Sequence, residues 1–130
     1  MDKVSEEDLS AALKHYENTL GGLPEVIKLM VSQMPAVFEG YSRMRSAVMA
    51  GDSQIPRHYK ELIFILLDLA TGSVDGALIH TSVAMSKGLS IRELTEALAQ
   101  AVLVLGISVW DRGGAEILNH ALQHIAKEET

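Results

Sequence analysis

Residues 57–80, RHYKELIFILLDLATGSVDGALIH, decide the fold. The stretch 62–69 is apolar on nearly all sides, and a helix of that kind reads as a central one. Ile55-Pro56 starts this helix, and Thr71-Gly72-Ser73 ends it. A second helix then starts near Val74 and runs to Lys87, with Gly88 stopping it. Three side chains do not suit these apolar segments: Glu61, Asp68 and His80. Burying an ionised carboxylate without a partner costs several kcal/mol or more, so these groups are paired or used.

Working outward, every other segment also reads as helix. Ser5 with Asp8 is a capping-box-like start, and Leu9, Leu13, Tyr16 and Leu20 form one stripe up to Gly21-Gly22. Pro24 opens a second helix carrying Val26, Ile27, Met30 and Val31, and Met34-Pro35 breaks it. A third carries Val37, Phe38, Tyr41, Met44, Val48 and Met49, followed by a turn at Gly51-Asp52-Ser53. Ser90 with Glu93 is a full capping box for the next helix, which carries Leu94, Leu98, Ala101, Val102 and Leu105 up to Gly106. A last helix spans 109–127, and Gly113-Gly114 within it marks a kink or a close backbone approach. The expectation is an all-α fold: one compact domain over 1–130, with about six to seven helices.

Composition narrows the function. The chain has 130 residues, a net charge of −6, no basic run, and only one Trp, three Tyr and two Phe, which argues against nucleic-acid binding. It has no Cys, which removes disulfides, thiol redox chemistry and thiolate ligands. The apolar runs 62–67 and 101–109 fall far short of the roughly 20 residues of a membrane span. The acidic start MDKVSEEDLS is not a signal peptide, so a cytoplasmic protein with no membrane partner is expected. An apolar content of 48% is high for a small monomer and points to burial between subunits. The terminal stripe from Leu9 to Leu20 is the candidate interface.

Ser73, Gly76, Ala77, His80 and Ala84 share one side of their helix. A histidine among small residues faces open space or a closely packed helix. His80, oriented by Glu61, is a candidate general acid/base; a buried histidine with one structural hydrogen bond is the alternative. Glu61 and Asp68 lie seven apart on one face. They could form a pair of carboxylates opposite His80. Alternatively Glu61 pairs with Arg57 or His58, and Asp68 caps or salt-bridges a neighbouring helix. Glu116, His120 and His124 repeat every four residues, but near a helix C-terminus such a stripe is better read as solvated or subunit-facing, so no metal is expected. His15 beside Lys14 reads as surface, and Arg43 and Arg45 offer a weak anion site.

The segment 55–106 resembles the carboxymuconolactone decarboxylase family, whose relatives include the alkylhydroperoxidase D-type proteins. The linked pattern is Pro56, the apolar helix, Gly72, His80, Ala84, Gly88 and the Glu93 helix start. The resemblance implies an all-helical fold of the alkylhydroperoxidase D-like type, assembled as trimers or hexamers. The peroxidase branch carries a Glu, a Cys-x-x-Cys and a His four residues on. These fall on Glu61, on Ser73 and Gly76, and on His80. A hydroxyl and a hydrogen cannot cycle through a disulfide, so thiol peroxidase chemistry is not available. The decarboxylase branch matches Ile55-Pro56-Arg57-His58, Ala70-Thr71-Gly72, Asp75 and His80, but has charged residues where Ser73 and Gly76 stand.

The function expected is that of a decarboxylase-like lyase, or a related acid/base enzyme, acting on a small organic acid or lactone, as in aromatic catabolism. His80 and Glu61 are its expected catalytic residues, and Arg57, His58, Asp75 and Ser73 its substrate-binding residues. Neither metal nor organic cofactor is expected, and a homo-trimer or homo-hexamer is. A non-catalytic ligand-binding or structural oligomer of the same fold is the alternative.

Overall fold

The structure is a computed structural model that describes residues 2–50 and 54–130. The Gly51-Asp52-Ser53 turn lies outside the described residues. The chain is all-α, as the periodicity predicts, and its residues group into two compact units, 1–53 and 54–130.

The first unit holds α1 (Glu6–Leu20), α2 (Glu25–Gln33) and α3 (Pro35–Met49). Ser5 caps α1 by accepting from the Asp8 amide at 3.1 Å. Leu9, Leu13, Tyr16 and Leu20 pack with α2 residues around Phe38 of α3, so this stripe is committed inside its own unit. Arg45 and His15 also turn inward. The Arg45 guanidinium lies 5.2 Å from the Tyr16 ring centre and donates to Thr19 Oγ1 at 2.7 Å, with His15 Nε2 at 3.0 Å. His15 is therefore half-buried rather than a surface residue, and Arg45 is occupied within the fold. Arg43 pairs with Glu39 at 2.8 Å.

The second unit begins with α4 (Arg57–Thr71) and α5 (Val74–Ser86), an antiparallel hairpin. Gly72 makes the reversal in the left-handed region, at φ 85°, which favours glycine. The Ser73 amide bonds back to the Asp68 carbonyl at 2.8 Å, and Arg112 Nη2 donates to the Leu69 carbonyl at 2.9 Å, so end carbonyls of α4 are satisfied. α6 (Ile91–Leu105) carries the capping box: Ser90 Oγ accepts from the Glu93 amide at 3.0 Å, and Glu93 accepts from the Ser90 amide at 3.4 Å. A π-helical turn, Trp110–Gly114, leads into α7 (Ala115–Glu128).

Ile65 and Leu69 of α4, Ala77 and Ala84 of α5, Leu94 and Leu98 of α6, and Ile117 and Ala121 of α7 form the core of this unit. The Gly113-Gly114 pair does mark a close approach. A Cβ on Gly113 would stand 2.9 Å from both Leu69 Cδ1 and Val74 Cγ2. α4 is not buried all round, as its sequence suggests, because its packing partners in this unit cover only part of its circumference. Tyr59, Ile63 and Leu67, one turn apart, remain exposed. Among the described residues, no helix is long and apolar enough to cross a membrane.

Candidate functional site

The α4–α5 hairpin sets the site, because antiparallel pairing lays successive turns of one helix beside those of the other. Glu61 faces His80 across the first rung. Its carboxylate is fully buried, at 0% exposure. Oε2 accepts from His80 Nδ1 at 2.6 Å, and Oε1 accepts from Arg57 Nε at 2.9 Å and Nη2 at 2.7 Å. Burial alone would push the Glu61 carboxyl upward, but the hydrogen bonds and charges of His80 and Arg57 outweigh it and hold the group below its ordinary value. Glu61 is thus an ionised acceptor, His80 donates from Nδ1, and Nε2 is left as the nitrogen that can exchange a proton.

The two sequence readings of Glu61, as partner of Arg57 and as orienter of His80, are both realised at once. Each carboxylate oxygen serves one cation or donor. Phe64, one turn past Glu61, stacks on the imidazole with ring centres 4.4 Å apart and planes 16° apart. The ring is therefore fixed by a hydrogen bond at its edge and an aromatic face beside it.

Two turns further along α4, Asp68 faces Gly76. Its Oδ2 lies 2.9 Å from the point where a Cβ on Gly76 would sit, and Ser73 Oγ lies 3.1 Å from that point. Burial raises the Asp68 carboxyl above its ordinary value, against an opposing pull from His80. No ion pair holds Asp68 to a neighbouring helix among the described residues; it stands against α5 instead of serving as a salt bridge.

Of the residues expected from sequence, Glu61, His80 and Arg57 come together directly, and Ser73 lies at the Asp68–Gly76 end of the same hairpin. Asp75 is exposed in the first turn of α5, and the His58 ring lies 4.2 Å from that of Tyr59. Phe64 was not anticipated. Its signal was available, since a residue three past Glu61 shares its helix face. Farther along, His120 Nε2 meets Ser82 Oγ at 2.7 Å, and His124 faces Glu128 at 3.0 Å. The described residues hold no cluster of three or more acidic or histidine side chains spaced for a metal.

Comparison with known proteins bears on the family and the fold. The sequence profile of the carboxymuconolactone decarboxylase family matches residues 35–120. A crystal structure from Burkholderia xenovorans LB400, named as a candidate carboxymuconolactone decarboxylase, is similar over 97% of both chains, with 31% identity and a TM-score of 0.89. No curated protein sequence matches this chain.

Proposed function

The chain belongs to the carboxymuconolactone decarboxylase family, and on that premise we propose that it is an acid/base enzyme of the decarboxylase type, acting on a small organic acid or lactone. The observation that carries the reading is the buried Glu61 carboxylate holding His80 Nδ1 at 2.6 Å while Arg57 balances its charge. A histidine so held keeps its orientation and presents Nε2 to a reacting group. In the reaction, the bond between a substrate carbon and its carboxylate breaks and CO₂ leaves. The electron pair passes into the adjacent carbonyl as an enolate. Protonated His80 gives the Nε2 proton to that carbon, and water restores it. The sequence of steps as drawn needs no metal or organic cofactor.

Ser73 and Gly76 favour a second reading, a non-catalytic ligand-binding or structural oligomer. Neither is a charged residue of the kind the decarboxylase branch carries there. The experiment that separates the two is a panel of carboxylated lactones and β-keto acids, with CO₂ release followed by ¹³C NMR. Release that His80→Ala abolishes supports the enzyme; binding without release by wild type refutes it.

A homo-trimer or homo-hexamer remains our reading of the assembly. Its support now comes from apolar side chains left exposed, such as Leu103 at 86% and Val104 at 79%, and not from the α1 stripe. We propose a cytoplasmic protein that works in the breakdown of aromatic compounds, the second part of this reading resting on family membership.

A further inference from the structure

The Asp68 end of the hairpin has a chemistry of its own. The charge of Glu61 is met by Arg57 and by the Nδ1 donor of His80. Asp68 has no such match: no hydrogen bond to its carboxylate exists among the described residues, and its principal electrostatic neighbour is His80. Its room comes from Gly76. A side chain of any size there would begin 2.9 Å from Oδ2, so the bare glycine lets the carboxylate stand beside the Ser73 hydroxyl. The half-buried carboxylate therefore offers open acceptor lone pairs beside Gly76, which lies one helical turn before His80 on α5.

We propose that Asp68 is a specificity-determining residue: its carboxylate, seated beside Gly76 and Ser73, receives a cationic or hydrogen-bond-donating group of the ligand, an ammonium or a hydroxyl, and turns away a second carboxylate. The ligand framework rests on the reading of the site as one for small acids and lactones; the charge preference rests on Asp68 alone. A carboxylate brought beside Asp68 would meet like charge in a partly desolvated place, whereas an ammonium or hydroxyl would supply the missing donor. Bond for bond, a charge-assisted hydrogen bond changes affinity by about tenfold or more.

The test uses two γ-butyrolactone carboxylates, one carrying an ammonium group in addition (the ammonium lactone) and one a second carboxylate (the carboxylate lactone), together with methylammonium and acetate. Each is titrated into the full chain while the His80 ring resonances are followed by NMR. Wild type is expected to bind the ammonium lactone at least about tenfold more tightly than the carboxylate lactone. Asp68→Asn, which keeps the shape and removes the charge, is expected to erase or invert that order. Gly76→Ala, whose methyl displaces the carboxylate, is expected to weaken the preference in the same direction. A wild-type preference for the carboxylate lactone, or an order unchanged in Asp68→Asn, overturns the inference and leaves the lactone reading standing. If neither lactone binds but methylammonium shifts His80 in wild type and not in Asp68→Asn, the lactone reading falls and the inference stands. If no probe shifts His80, both fall.

Discussion

Replacing Glu61 with alanine removes the acceptor that both Arg57 and His80 use, and the structure sets the size of the loss. Breaking a buried charge pair by deleting one partner costs about 3–5 kcal/mol, because the other charge is left without compensation. Here the stranded cation is not fully buried. The Arg57 side chain is 24% exposed and can turn toward water, which places the loss at the low end of that range, about 3 kcal/mol. Glu61→Gln keeps a carbonyl acceptor for His80 Nδ1 and forfeits only the charge, so about 1–2 kcal/mol is expected. Urea melts at constant slope measure both. The pH dependence gives an independent check. Glu61 titrates lower in the folded chain than in the unfolded one, so its contribution is present above its unfolded pKa of about 4.3 and is lost as pH falls through the folded value. The gap between wild type and Glu61→Gln should therefore hold at neutral pH and close on acidification below about pH 4. A Glu61→Ala variant within about 1 kcal/mol of wild type at neutral pH would refute the ionised, doubly bonded carboxylate.

His80→Ala should lower turnover of the true substrate by about 10²-fold or more. It should also cost about 1–3 kcal/mol, since Glu61 Oε2 loses its donor and Phe64 its stacking partner; an active variant would exclude His80 as the proton donor. Gly113→Ala places a methyl 2.9 Å from Leu69 and Val74 and should destabilise by about 1–3 kcal/mol in thermal melts, whereas a neutral change would mean that α7 can move away without loss. Hydroperoxide reduction with a dithiol donor should not occur, because the chain has no Cys; turnover that depends on the thiol would contradict this. Light scattering at micromolar concentration should give a trimer or larger, and a monomer would refute the assembly proposed from the exposed apolar side chains.

Local signals carried most of the helical layout. The Ser90–Glu93 box, the proline starts and Gly72 act within a few residues, and each marks the boundary it predicts. Glu61 and His80 were legible as candidate partners because each is a costly intrusion in an apolar stretch, and Arg57, four residues before Glu61, was legible as the other partner that offsets that cost. Asp68 was not legible in the same way. Its neighbour is a missing side chain, and an absence at Gly76 leaves no mark until the rotation of α5 against α4 is known. The α1 stripe misled for a related reason. An apolar face needs a cover, but its sequence does not say whether that cover is α3 of the same unit or another subunit.

The π-helical turn has a consequence for the phase of the last helix. The Ala115 amide reaches back five residues to the Trp110 carbonyl, so this turn takes up one residue more than an α-turn. In an unbroken α-helix, at about 100° per residue, Val109, Ile117 and Ala121 would point about 80° and 120° apart from the first. With one residue absorbed, the same positions fall within about 20° of Val109 on either side. All three are buried, at 1%, 0% and 0% exposure. The wide turn is thus a phase correction: it lets one continuous rod present an unbroken apolar seam to the core from a sequence whose spacing, counted straight through, would wind that seam off to the side.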